Sequence, residues 1–252
     1  MADALIQIEK VSKSFGSQKV LDGVSLDIER GQSIVIIGQS GCGKSVLLKH
    51  IVRLLEPDDG RVVIDNSDLA ELKNAELATM RRRIGMLFQS AALFDSLNVE
   101  ENVGLGLKES RRYSSDEIHQ RVMDKLAMVG LKEAASKPPA ELSGGMRKRV
   151  GLARAIAEEP EILLYDEPTT GLDPITSDMI NDMIVELNEQ LNVTSVAVTH
   201  DMRSAYKIAD RIVMLYKGRV EVDGSPDEIK NTDNEIVRQF VTGSSRGPIK
   251  VH

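Results

Sequence analysis

The segment Gly38-Gln39-Ser40-Gly41-Cys42-Gly43-Lys44-Ser45 constrains this chain more than any other. It has the spacing G-x-x-x-x-G-K-[ST], and its context carries as much weight as its pattern. Before it runs Ser33 to Ile37, a compact apolar, β-branched stretch bounded by glycines, as expected of a strand buried on both faces. After it comes a helical pattern from Lys44 to Leu55, closed by Glu56-Pro57-Asp58-Asp59-Gly60. A strand, a glycine turn and a helix start in that order point backbone N–H groups at one place, where the helix dipole also favours an anion. The segment therefore predicts a phosphate cradle made by Gly38, Gln39, Ser40, Gly41, Cys42, Gly43, Lys44, Ser45 and Val46, with Lys44 on the β/γ-phosphates and the Ser45 hydroxyl on Mg²⁺. Cys42 is expected to be a small filler of the loop rather than a redox centre.

A second apolar run, Ile162-Leu163-Leu164-Tyr165, ends in Asp166-Glu167. Adjacent carboxylates at the end of a buried strand need a metal and a substrate to offset their desolvation. Asp166 is expected to hold Mg²⁺ through its water shell, and Glu167 to polarise the attacking water. Gln89 follows Met86-Leu87-Phe88, and His200 follows Val196-Ala197-Val198-Thr199, so both stand where ligands gather at the carboxyl edge of a parallel sheet. Taken alone, a Gln or His at such a position is more often a solvated strand end.

The remaining patterns suit an α/β fold. Ile6 to Ile8, Leu26 to Ile28, Arg61 to Ile64, Ile84 to Phe88, Thr194 to Val198 and Ile212 to Leu215 read as further strands. From Asn98 to Ala157 the character is mostly helical, with Ile118, Val122 and Leu126 at helical spacing, and another helix is expected around Ile180 to Leu191. Strands alternating with helices predict a mostly parallel sheet covered on both faces. Arg81-Arg82-Arg83 reads as a solvated helix end, Arg147-Lys148-Arg149 as charged positions on an amphipathic helix, and the unpatterned Gly243 to His252 as a mobile tail unless a partner orders it.

The 252 residues carry a net charge of -7, with 3% aromatics and no Trp, which disfavours a nucleic-acid surface. The single cysteine excludes an intramolecular disulfide or a multi-cysteine zinc site and fits a reducing compartment. No window reaches the ~18 apolar residues of a membrane span, and Met1-Ala2-Asp3-Ala4-Leu5 lacks the basic start of a secretory signal. The expectation is a cytosolic chain that meets a membrane only through partners.

Leu142-Ser143-Gly144-Gly145-Met146, between the phosphate loop and Asp166-Glu167, completes a set that resembles the ABC ATPase family over residues 5 to 230. That resemblance implies a P-loop NTPase of RecA-like, mostly parallel sheet with flanking helices, an antiparallel β portion and an inserted α-helical subdomain. It implies ATP and Mg²⁺ as ligands. It further implies Phe15 stacking on adenine, Lys44 and Ser45 as the Walker A pair, and Gln89 as the Q-loop glutamine touching Mg²⁺. Asp166 and Glu167 would be the Walker B aspartate and the catalytic glutamate, Asp173 the D-loop aspartate and His200 the switch histidine. Ser143, Gly144 and Gly145 would cup the γ-phosphate of ATP held by the opposite subunit of a homodimer. Met146 departs from the commoner Gln without altering the Ser-Gly-Gly cup.

Domain boundaries follow: 1–88 and 158–230 as the two parts of the nucleotide-binding core, 89–157 as the helical subdomain, and 231–252 as a C-terminal extension. A finer resemblance lies in Phe88 to Val99, Gly144 to Val150, Thr199 to Met202, Phe240 to Gly243 and Gly247 to Ile249. These are similar to the ATPases of MCE/Mla-type phospholipid transporters. The resemblance implies integral membrane permease subunits, a lipid-binding MCE protein and a small STAS-domain protein as partners, at the cytoplasmic side of an inner membrane. The ATPase of a polar amino-acid importer shares every catalytic motif and stays open as an alternative. So, more remotely, does a nucleotide-gated scaffold or other non-transport ABC protein.

Overall fold

The computed structural model describes residues 4–250. Two long antiparallel strands open it, β1 (Ala4–Phe15) and β2 (Gln18–Glu29), where the sequence marks only short segments. Their outer halves alternate charged and apolar residues without a continuous apolar signal, and register shifts interrupt the pairing at several points. The buried run Ser33–Ile37 is β3, and the helix after the glycine loop is α1 (Lys44–Ile51), shorter than the expected Lys44 to Leu55. Beyond Ile51 the chain turns, and the Arg53 guanidinium bonds the Leu72 carbonyl at 2.8 Å. β4 (Asp59–Ile64) and β5 (Ser67–Asp68) follow, then α2 (Asn74–Arg82) and β6 (Ile84–Leu87).

Next come α3 (Val99–Ser110), α4 (Ser115–Met128) and α5 (Gly144–Ala155), β7 (Ile162–Asp166) and α6 (Pro174–Leu191). β8 (Thr194–Thr199), α7 (Met202–Ile208), β9 (Arg211–Tyr216), β10 (Arg219–Gly224), α8 (Pro226–Lys230) and α9 (Glu235–Thr242) complete the chain. The helix starts are locally encoded. Asn98 with Glu101 and Ser114 with Glu117 form reciprocal capping boxes on α3 and α4, satisfying backbone donors that would otherwise be orphaned.

The chain divides into two compact units, one built from residues up to Leu77 and from Thr194 onward, the other Ala78–Val193. In the first, an antiparallel sheet has the order β2-β1-β4-β5. A second sheet has β3 between β8 and β9, parallel to both, with β10 antiparallel at its edge. Ile34, Val35, Ile36 and Ile37 are wholly buried, as a strand covered on both faces requires, and α1 and α7 pack against this sheet. In the second unit β6 runs parallel to β7, and α5 packs on β6, α3, α4 and α6. Both strands of that pair end toward residues of interest, Gln89 and Glu167. This is the expected P-loop NTPase fold, with an antiparallel β portion and a helical portion.

Three expectations about charge and order are corrected. Arg81 and Arg82 close α2 as expected, but Arg83 lies past it, and its guanidinium makes two 2.8 Å bonds to the Glu161 carboxylate. Lys148 is 4% exposed rather than on a wet helix face. The tail is docked over its described part, since the Gln239 amide accepts from Ile249 N–H at 2.7 Å and donates to the Ser244 and Ile249 carbonyls. A glutamine amide imitates a peptide group, so it can pair an unpatterned segment as a strand neighbour would, and Ile249 becomes buried.

Candidate functional site

In the first unit the phosphate loop closes on its own lysine. Lys44 is 5% exposed, and its ammonium donates to the Gly38 carbonyl at 2.8 Å and the Gln39 carbonyl at 3.1 Å. Gly43 caps α1 with φ of 106°, and a Cβ there would press on the Val20 carbonyl at 3.0 Å and Leu21 Cδ2 at 2.7 Å. Only glycine meets both demands, so the loop can turn straight into the helix and leave the first N–H groups of α1 facing its mouth. A curled loop ending in a helix start with a lysine at its centre has the donors for a triphosphate. Cys42 lies in the same loop, partly buried and in no disulfide.

Two other sequence-predicted residues belong to this unit. Phe15, at the end of β1, is 47% exposed, with the Lys13 ammonium over its ring 6.0 Å from the centroid. His200 is exposed in the turn from β8 to α7. That turn is fixed on both sides: the Asp201 N–H donates to Thr199 Oγ1 at 3.0 Å, and the Asp201 carboxylate caps α7 through Arg203 and Ser204.

The second unit holds the acids, the glutamine and the signature. Asp166 ends β7, and Asp166 and Glu167 are 7% and 8% exposed. Glu167 has φ of 49°, a left-handed backbone that a glutamate rarely adopts, and its carboxylate accepts from Thr170 Oγ1 at 3.0 Å. Gln89 is exposed just past β6, at the head of a loop that runs to Asn98. Ser143 is the N-cap of α5, its hydroxyl accepting from the Met146 N–H at 3.2 Å. At Gly145 a Cβ would lie 2.7 Å from Thr176 Cγ2, so the signature glycine is also what lets α5 approach α6. Asp173 caps α6 through Ile175 and Thr176; the Thr176 hydroxyl, then its N–H, hold this carboxyl below its ordinary range.

Three further residues of this unit escaped the sequence reading. Lys148 donates to the Gln89 carbonyl at 2.6 Å and to the Glu167 carbonyl at 2.9 Å. Burial pushes its ammonium down to about 8, against the attraction of Asp166 and Glu167. Arg154 donates to the Ala91 and Ala92 carbonyls at 2.6 and 2.7 Å. Asn102, wholly buried, accepts from the Phe94 N–H and donates to the carbonyls of Phe94, Leu97 and Asn98, fixing the far end of the loop. A polar residue in a helix was the only signal for Asn102, and adjacent basic residues after the signature the only one for Lys148. Asn102→Ala strips partners from four backbone groups at once and is expected to cost about 1–3 kcal/mol, read as a lowered urea midpoint.

A buried parallel strand feeding a glycine loop and helix, in a chain that also carries a strand ending in Asp-Glu, defines a nucleoside-triphosphatase of the P-loop class. The comparisons with known proteins narrow this. The family model described as "ABC transporter" matches residues 21–170. The Mycobacterium leprae protein "Probable ribonucleotide transport ATP-binding protein mkl" is 41% identical over 97% of this chain and 70% of its own length. The Escherichia coli K12 protein "Intermembrane phospholipid transport system ATP-binding protein MlaF" is 40% identical over 97% of this chain and 91% of its own. Among solved structures, the ATP-binding cassette MJ0796 in a dimeric post-hydrolysis state with ADP and Pi superposes with a TM-score of 0.81. It is 37% identical and covers 88% of this chain and 98% of that one. This chain belongs to the ABC transporter family, as an ATP-binding subunit that hydrolyses ATP.

Proposed function

We propose that this ATPase powers the movement of phospholipid between membranes. The observation that carries this reading is the likeness to the Escherichia coli phospholipid-transport ATPase, which extends over nearly the whole of both chains. The stretch Phe88 to Val99, which also suggested lipid transport, is held in shape by Lys148, Arg154 and Asn102. Such a backbone-fixed loop suits the docking of integral permease subunits, with an MCE lipid-binding protein and a small STAS-domain protein completing the assembly. Among the described residues no helix is long and apolar enough to cross a membrane. The subunit would therefore work as a peripheral protein at the cytoplasmic face of the inner membrane.

In the proposed chemistry Phe15 stacks on adenine and the loop Gly38 to Val46 binds the phosphates. Ser45, Gln89 and Asp166 offer the hard oxygen donors that suit Mg²⁺, which would neutralise charge building on the β- and γ-phosphates. Glu167 draws the proton from the attacking water, and His200 contacts the γ-phosphate. A homodimer arranged head to tail would bring Ser143, Gly144 and Gly145 of one chain to ATP held by the other, with Asp173 beside them. Closure around two ATP molecules followed by release after hydrolysis would drive the permease.

The name of the mycobacterial relative favours a second reading, transport of ribonucleotides. Affinity purification of the chain with its membrane partners separates the two. Phospholipid and an MCE protein in the purified complex support lipid transport; a nucleotide- or other solute-binding protein, with no bound phospholipid, overturns it.

A further inference from the structure

Three non-glycine residues of the second unit hold left-handed backbone next to the proposed chemistry: Glu167 at φ 49°, Ala91 at 61° and Ala92 at 46°. Such conformations persist where surrounding contacts overdetermine them. Here the carbonyl of each is held by a cation from one helix, α5. Arg154 takes Ala91 and Ala92, and Lys148 takes Glu167. Lys148 alone also reaches a second segment, the Gln89 carbonyl, so one ammonium joins the backbone that carries the glutamine to the backbone that carries the glutamate. The helix supplying it begins at the signature serine.

We infer that Lys148 is a positioning residue for ATP hydrolysis, setting the aim of the Glu167 carboxylate and tying it to the position of Gln89. It touches no substrate and acts through two main-chain carbonyls. A side chain that merely filled space could be any apolar group of similar length. An ammonium shared by two carbonyls fixes the distance between them, so a shift of the loop at Gln89 is carried to Glu167, and the reverse. This inference rests on the reading of Glu167 as the group that activates water.

The test is steady-state ATPase on the full chain with Lys148→Met, which keeps the side chain as far as Cε and removes its donors. Turnover is expressed per folded site, with sites counted by titration with a fluorescent ATP analogue. The expected result is a kcat lowered by about tenfold or more with KM for ATP within about threefold, the signature of a group that serves the transition state and not ground-state binding. If kcat per site stays within about twofold of wild type while the melting temperature falls, Lys148 is structural and the inference is overturned. Should Lys148→Met not fold, Lys148→Gln, which keeps a donor for one carbonyl, is held to the same thresholds. Combining Lys148→Met with Glu167→Gln tests the aim: once the carboxylate is gone, Lys148→Met should add little further loss, whereas fully additive losses overturn it. Glu167→Gln measured in parallel separates the two readings. If that variant keeps its turnover, the role given to Glu167 fails; if it loses turnover and Lys148→Met does not, only the positioning role of Lys148 fails.

Discussion

Glu167→Gln is expected to bind ATP as the wild type does and to hydrolyse it about 10²–10⁴ times more slowly, the usual cost of removing a general base. The substitution is close to isosteric, and the structure shows why the backbone should tolerate it. Lys148 holds the Glu167 main-chain carbonyl, not its carboxylate, so the left-handed turn keeps its support. The Thr170 hydroxyl can donate to an amide oxygen as it does to the carboxylate. What disappears is the capacity to take a proton from water. Phosphate release under saturating ATP measures the loss, and a filter-binding isotherm checks that affinity stays within about threefold, since the two together isolate a transition-state effect. Because hydrolysis is the step that would part the dimer, the variant should also elute as a dimer in ATP. Near-normal phosphate release would remove Glu167 from its proposed role.

The elements of the fold differ in how readily a sequence reveals them. β3, β7 and β8 were legible because a doubly buried parallel strand is a short apolar run, and each leads directly into a residue pattern with chemistry attached. β10 (Arg219–Gly224) was not, because its edge position leaves Arg219 and Asp223 exposed among half-buried neighbours and breaks the apolar run. The glycine loop declares its purpose locally, since its glycines, its lysine and the helix start are adjacent in the chain, even though the packing demand at Gly43 comes from Val20 and Leu21 on β2. Lys148 declares nothing locally. Its meaning comes from two carbonyls, 59 and 19 residues away in the chain, and a backbone carbonyl has no residue type to read. The same is true of Gln239 and the docked tail, where the recognised partner is the main chain of Ile249. Side chains that act on phosphates, or on the backbone of their own turn as the caps of α3 and α4 do, leave motifs; side chains that act on distant backbone do not.

That asymmetry also bears on the shared-site arrangement, because the Ser143-Gly144-Gly145 cup is legible as a motif while its target is not. Ser143 and Gly145 have clear duties within their own chain, capping α5 and admitting Thr176, so their presence alone does not require a second subunit. Complementation decides it. A chain with Lys44→Ala has a defective phosphate loop and an intact signature; a chain with Ser143→Arg has the converse. Each homodimer is expected to lose ATPase activity by about 10²-fold or more, the scale of removing a fixed charge or donor from a phosphoryl-transfer site. If each site takes its phosphate loop from one chain and its signature from the other, the mixed dimer has one site with both parts intact and one with neither. Mixing the purified chains should then raise activity at least about tenfold above either parent, because one electrostatically complete site recovers the stabilisation that each parent lacks. If every chain used its own signature, no combination would contain an intact site, and the mixture would stay at the level of its parents. A tagged, doubly purified heterodimer makes the result independent of the mixing ratio, and an activity no higher than the parents' would reject the head-to-tail arrangement.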